Sequence, residues 1–282
     1  MPTTIIDGIN TRYEVVGSGA PLLMFSPGGF DATLDKWATL GVYARTKMLD
    51  HLSTKYQCII FDRRESGQSG GRVERVTWND YARQGRGLLD YLGIARTHLL
   101  GGCMGCSPVA AFAVAFPEMV SCLVLFWPVG GPKYRMSSHQ RIAEHLAFVY
   151  QNGLDAVVSL VQKDGKPFGA DPRGGPWASV IKHDAAFADH YRTLNVDDYK
   201  HVVVGLGRTL FDRDTAPGAE PEDLMRSTIP ALIVPGRDAS HATSAARYLE
   251  ECLPNAEYWD VAVEDQTEAT VPGRLLSFLD AH

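Results

Sequence analysis

The run Gly101-Gly102-Cys103-Met104-Gly105 constrains this chain more than any other feature. It follows the apolar residues His98-Leu99-Leu100 and fits the frame G-x-nucleophile-x-G, with a thiol at the centre. Such a frame has a mechanical origin. A nucleophile on a sharp strand-to-helix turn sits in strained backbone, and only small residues two places before and after it avoid a clash. Residues 107–116 that follow are small and apolar, as a buried helix requires. The local expectation is therefore strand, tight turn and helix, with Cys103 at the apex.

The rest of the chain supplies a matching scaffold. Short apolar runs at 5–6, 11–16, 21–25, 58–61, 98–102, 121–127, 231–234 and 257–261 predict eight strands. Several, such as Cys58-Ile59-Ile60-Phe61, are apolar throughout, as in a parallel sheet covered on both faces. Helical patterns fall at 33–52, 77–92, 244–252 and 271–279, and Thr77 or Asn79 is placed to cap the second of these. Strands alternating with helices imply right-handed crossovers and a mostly parallel sheet. Residues 130–227 break the rhythm: helical segments near 138–152, 154–162, 185–194 and 197–209, Gly and Pro clusters, and no buried strand. Because the rhythm then resumes, residues 1–129 and 228–282 are expected to form the core, with 130–227 as an inserted helical cap rather than a separate domain.

Taken together these pieces resemble the α/β-hydrolase fold superfamily over nearly the whole chain. Tyr13 to Gly19 with Pro21-Leu22-Leu23 resembles its opening hairpin, and Ser26-Pro27-Gly28-Gly29 its oxyanion loop. Asp62-Arg63-Arg64-Glu65-Ser66-Gly67-Gln68-Ser69 is similar to the D-x-R-G-x-G-x-S turn, and Pro235-Gly236-Arg237-Asp238 to the loop that carries the acid. The resemblance implies a mostly parallel eight-stranded sheet flanked by helices, with an inserted helical cap. It also implies Cys103 as nucleophile, as in dienelactone hydrolases, an oxyanion hole from Met104 and Gly28 or Gly29, and Asp238 as acid. One part is missing. Members with a complete triad carry a histidine in the loop before the last helix, and here that loop reads Val263-Glu264-Asp265-Gln266-Thr267-Glu268.

Nine histidines compete for the vacant role. His98 opens the elbow strand, about 15 Å from Cys103 at roughly 3.3 Å per residue. His51 and His282 lie at a helix end and at the terminus. His241 stands three residues after Asp238, at the carboxyl ends of the strands where such sheets place ligands. It is either a catalytic or substrate-binding group or a solvated loop residue. His139, His145, His183, His190 and His201 lie in the cap region. Glu264 and Asp265 are acid/base candidates in the loop that lacks the histidine, or simply solvated carboxylates. Arg63 and Arg64 either bind a substrate carboxylate through their N–H forks or fix their own turn. Cys106 makes a C-x-x-C with Cys103, read either as a resolving thiol or as a packed small residue. Trp127, Tyr134, Phe148, Tyr150, Phe168, Trp177, Phe187 and Tyr191 are the candidate aromatic lining.

Three function classes remain. The leading one is a cofactor-independent hydrolase that cleaves an ester, lactone or thioester through an acyl-Cys103 intermediate. The others are a C–C hydrolase, lyase or isomerase on the same fold, and a non-catalytic ligand-binding homologue. A net charge of −6 gives no support for nucleic acid as a partner. No apolar stretch is long enough to span a bilayer, and Met1-Pro2-Thr3-Thr4 does not read as a signal peptide. With five cysteines, three of them (Cys58, Cys122, Cys252) in apolar patterns, the expected compartment is a reducing cytoplasm. No metal-ligand cluster or nucleotide motif is present in the sequence. The expected partner is a small-molecule substrate, and a homodimer rests only on how common dimers are.

Overall fold

The computed structural model describes residues 2–282. Among the described residues eight strands form one sheet: β1 (Thr3–Ile6), β2 (Ile9–Val16), β3 (Ala20–Phe25), β4 (Tyr56–Phe61), β5 (Thr97–Gly102), β6 (Val120–Phe126), β7 (Ala231–Val234) and β8 (Ala256–Tyr258). Their order is β1-β2-β4-β3-β5-β6-β7-β8. β2 runs antiparallel to β1 and β4, and all pairings from β4 through β8 are parallel.

The apolar runs are continuous because the sheet is covered twice. Successive side chains on a strand point to opposite faces. Leu23, Phe25, Ile59, Phe61, Leu99, Leu123, Leu125 and Ile233 therefore enter one core. Leu22, Met24, Cys58, Ile60, Leu100, Cys122, Val124, Phe126, Leu232 and Val234 enter the other. Cys58, Cys122 and Cys252 are buried free thiols, and burial pushes Cys58 and Cys122 up to about 12.

The expected helix over 33–52 is broken into three: α1 (Lys36–Thr39), α2 (Gly41–Thr46) and α3 (Met48–Leu52). Left-handed backbone at Gly41 (φ 44°) and Lys47 (φ 45°) interrupts it at two points. α4 (Trp78–Leu92) starts at Thr77, whose hydroxyl accepts from the Asp80 N–H while the Asp80 carboxylate accepts from the Thr77 N–H. α5 (Cys106–Ala115) follows the Cys103 turn. β8 stops at Tyr258 rather than at 261.

Between β6 and β7 the described residues form helices and no strand of the sheet: α6 (Pro132–Asp164), α7 (Ala178–His183), α8 (Ala185–Arg192), α9 (Val196–Leu210) and α10 (Pro221–Leu224). α6 is two helices in line, interrupted at Gly153 (φ 78°). α11 (Thr243–Cys252) and α12 (Val271–Asp280) complete the chain. Among the described residues no helix is long and apolar enough to cross a membrane.

Candidate active site

Three central strands deliver their carboxyl-end loops to one place. β5 ends at Gly102, and Cys103 adopts left-handed backbone at φ 56°. A short 3-10 turn (Cys103–Gly105) leads into α5. The flanking glycines are compulsory on steric grounds. A Cβ on Gly101 would lie 2.5 Å from the Gly105 carbonyl oxygen, and one on Gly105 would lie 2.2 Å from that of Phe25. Either contact drives the turn off the sheet.

His241 and Asp238 share the loop after β7. The Asp238 carboxylate accepts the backbone N–H of Ser240 (2.8 Å) and of His241 (2.9 Å), closing a tight turn. The same carboxylate meets the His241 Nδ1 at 2.8 and 2.9 Å from its two oxygens. Among the described residues the buried His241 Nε2 has no conventional hydrogen-bond partner. Beyond Asp238, the titratable side chain that acts on the ring is Cys103.

The charges follow from this arrangement. Burial pushes the Cys103 thiol up, but the His241 ring and the backbone N–H groups of Gly28 and Met104 outweigh it and hold the thiol below its ordinary value. Burial alone would lower His241; Asp238 and Cys103 reverse that and raise it to about 9. The His241 hydrogen bond, against some burial, holds Asp238 down at about 2. Both shifts act in the direction of a thiolate–imidazolium pair. Cys103 also stands at the start of a helix, where free N–H groups favour negative charge.

The oxyanion-loop residues are braced from behind. Arg63 is buried, and its Nη2 donates to the carbonyls of Gly29 and Gly28, the latter at 3.3 Å. Its guanidinium lies 4.5 Å from the Tyr81 ring centroid. Arg64 is committed to Glu65 (2.9 Å) and Glu74. Neither arginine lines the cavity over Cys103; of the two readings the sequence allows, their contacts are those of residues that fix their own turn, to backbone carbonyls and neighbouring carboxylates. Glu264 and Asp265 have the setting of the second reading given for them, solvated carboxylates. Both are exposed on a 3-10 turn (Val263–Asp265) and do not reach the cavity.

The buried residue of that loop is its neighbour Gln266, which the sequence reading passed over. Its Oε1 accepts from Trp127 Nε1 (2.6 Å), and its Nε2 donates to the Pro235 carbonyl (2.9 Å). Trp127 packs on the His241 ring at 5.2 Å between centroids. A Cβ on Gly236 would meet both, at 2.6 Å from His241 Cβ and 2.9 Å from Trp127 Cδ2. Gln266 thus supports the His241 ring through Trp127.

Cys106 is buried below the turn and donates to the Gly101 carbonyl at 3.1 Å. Burial, together with Cys103, raises it well above an ordinary thiol, which is the setting of a packing residue and not of a resolving thiol. His98 faces Cys122 Sγ at 3.2 Å. Within the inserted helices, His145 is buried against Tyr199 (2.6 Å) and lowered to about 4 by that burial. His139 bonds the Phe211 carbonyl at 2.8 Å.

A cavity of about 210 Å³ opens over the pair, with Gly29, Cys103, Met104 and His241 on its floor. Tyr134, Ser138 and Arg141 of α6 line it from the inserted helices, and Phe30, Phe168 and Phe211 form apolar walls. Of the eight expected lining aromatics only Tyr134 and Phe168 are there; Phe30 and Phe211 were not foreseen.

The model of the α/β hydrolase fold family matches residues 21–171. Over 125 residues the chain is 33% identical to the dihydrolipoyllysine-residue acetyltransferase component of the acetoin cleaving system of Cupriavidus necator, covering 44% of this chain and 31% of that protein. It is 42% identical over 79 residues to a 2-hydroxy-6-oxononadienedioate/2-hydroxy-6-oxononatrienedioate hydrolase of Paraburkholderia phymatum, covering 27% of each. These matches therefore span less than a third of either relative's length. The structure is similar to that of the enol-lactonase of Burkholderia xenovorans, with a TM-score of 0.60, 19% identity and coverage of 99% and 97% of the two chains.

Proposed function

This chain belongs to the α/β hydrolase fold family, and on that premise we propose that it is a cofactor-independent hydrolase acting through an acyl-Cys103 intermediate on an ester, lactone or thioester. The observation that carries the proposal is the Asp238–His241–Cys103 arrangement, with acid and base on one loop. The Cys103 thiolate adds to the substrate carbonyl. The N–H groups of Gly28 and Met104, which already interact with the thiol, stabilise the oxyanion. The His241 imidazolium gives its Nε2 proton to the departing alcohol or thiol. Neutral His241 then takes a proton from water as that water attacks the acyl-Cys103 carbonyl. Collapse of the second oxyanion releases the acid and restores the thiolate, with the proton left on His241. Asp238 fixes the ring tautomer and stabilises the imidazolium throughout. The inserted helices act as the cap that closes the cavity and sets specificity.

One observation favours a second reading. The name of the Paraburkholderia relative's substrate contains no ester, so its hydrolysis breaks a carbon–carbon bond. On that reading His241 is the acid/base group, since Glu264 and Asp265 face solvent.

Intact-mass spectrometry after mixing with activated esters and thioesters separates the two. An acyl adduct on the wild type and none on Cys103→Ala, with turnover lost in that variant, supports acyl transfer. Turnover that survives in Cys103→Ala excludes it.

A further inference from the structure

We infer that the cavity takes an acyl group whose far end is a carboxylate, and that Arg141 binds that carboxylate. The inference rests on the hydrolase reading above and names its substrate class. Tyr134, Ser138 and Arg141 are spaced four and three residues apart, so they share one face of α6, and all three line the cavity. Tyr134 lines the cavity together with Cys103, and the charges of Cys103, Arg63 and Arg141 all act on its hydroxyl. Arg141 lies two turns further on, about 10 Å along the helix axis.

The face is polar yet unsatisfied. Among the described residues the buried Tyr134 hydroxyl has no hydrogen-bond partner. Among the described residues Arg141 makes no hydrogen bond or ion pair. Three other arginines near the cavity or the cap edge are engaged: Arg135 with Asp214 at 3.1 Å, Arg213 with Glu220, and Arg63 with the Gly28 and Gly29 carbonyls. The carboxylate that does line the cavity, Asp31, is closed by Lys36 at 2.6 Å. Arg141 is therefore a half-buried cation without a protein partner, lining a cavity walled by Phe30, Phe168 and Phe211. An ion pair formed in such surroundings is stronger than one in water, and the planar guanidinium matches a carboxylate with two parallel N–H donors. One positive charge suits a monoanion. A phosphate dianion would bring a second negative charge toward Asp31 and the Cys103 thiolate.

The test uses matched pairs: p-nitrophenyl monoesters of glutaric and adipic acid beside the pentanoyl and hexanoyl esters. The wild type is expected to favour the half-esters in kcat/KM. Arg141→Met is expected to collapse that preference by about 10- to 100-fold, the range for a lost charged hydrogen bond, chiefly through KM. Arg141→Lys should retain part of it. A preference that is absent in the wild type, or unaltered in Arg141→Met, overturns the inference. Failure of the acyl-Cys103 reading is a separate result, namely no turnover of any ester. In that event binding decides: adipate should raise the Tm of the wild type and not of Arg141→Met. No rise, an equal rise in both proteins, or an equal rise with inorganic phosphate overturns the carboxylate assignment.

Discussion

The loops after β7 and β8 differ in a way their sequences conceal. Both leave the carboxyl edge of the sheet from neighbouring parallel strands, and both carry carboxylates. The β8 loop is where a complete triad of this family holds its histidine; here it offers Glu264 and Asp265 to solvent and buries Gln266. The β7 loop holds acid and histidine together, three residues apart, in one turn knotted by Asp238. Adjacent parallel strands bring their loops to the same edge, so the ring beside Cys103 can be supplied from either side. The chain order of such groups is thus less restrictive than the place where the loops converge.

The largest expected effect breaks this contrast directly. His241→Ala should lower turnover by about 10²- to 10⁴-fold, the usual range for a general acid–base group, as measured by steady-state kinetics on an ester turned over by the wild type. Introducing Gln266→His into that variant should not restore activity, because the side chain at 266 points to Trp127 and Pro235. Rescue would mean that the β8 loop still reaches Cys103.

Next comes the thiol itself. Iodoacetamide should alkylate wild-type Cys103 at pH values below those at which an ordinary thiol near 8.5 reacts. In His241→Asn the midpoint of that profile should rise to or past the ordinary value, since the ring is the leading influence that lowers it. An unshifted midpoint would assign the lowering to the N–H groups of Gly28 and Met104.

Gln266→Ala sharpens the comparison from the other loop. It leaves the Trp127 indole N–H without its acceptor, at a cost of about 1–3 kcal/mol, read as a lower urea midpoint. Turnover should fall less than in His241→Ala, because Trp127 packs on the ring without carrying a proton. Stability should also depend on pH through the β7 loop. The His241 pKa is raised from 6.5 to about 9, so its contribution is complete below about 6.5 and disappears as pH rises through about 9. Asp238, held down at about 2, contributes above its ordinary value of 3.8 and loses that contribution as pH falls through about 2. Urea midpoints from pH 6 to 10 should decline more in the wild type than in His241→Asn. The smallest effect is at Glu264→Gln with Asp265→Asn: both side chains are exposed, and turnover should stay within about twofold, as surface changes usually do.

The sheet was legible in the sequence because burial on both faces writes long apolar runs, and Gly101 and Gly105 were legible because the turn has no room for a side chain. The partnership of Asp238 and His241 was harder to read. An i, i+3 pair in a loop meets only if the backbone turns, and that turn depends on side-chain-to-backbone bonds that leave no periodic trace. Gln266 was missed because a buried glutamine in a run of acids looks like its solvated neighbours. Arg141 was missed because helical spacing gives a face but not what the face looks at. The helix expected over 33–52 failed for a different reason: Lys47 takes left-handed backbone that its residue type does not announce.

The single-turn origin of Asp238 and His241 also bears on how the site responds to heat. Their separation is set by a few torsions inside one hydrogen-bonded loop, whereas the reach from His241 to Cys103 depends on how the ends of β7 and β5 sit across the intervening β6. Warming that loosens the sheet edge acts on the second distance before the first. The nucleophile should therefore drift out of range while acid and base remain together, and reactivity toward alkylating agents should fade at temperatures where the fold itself still holds.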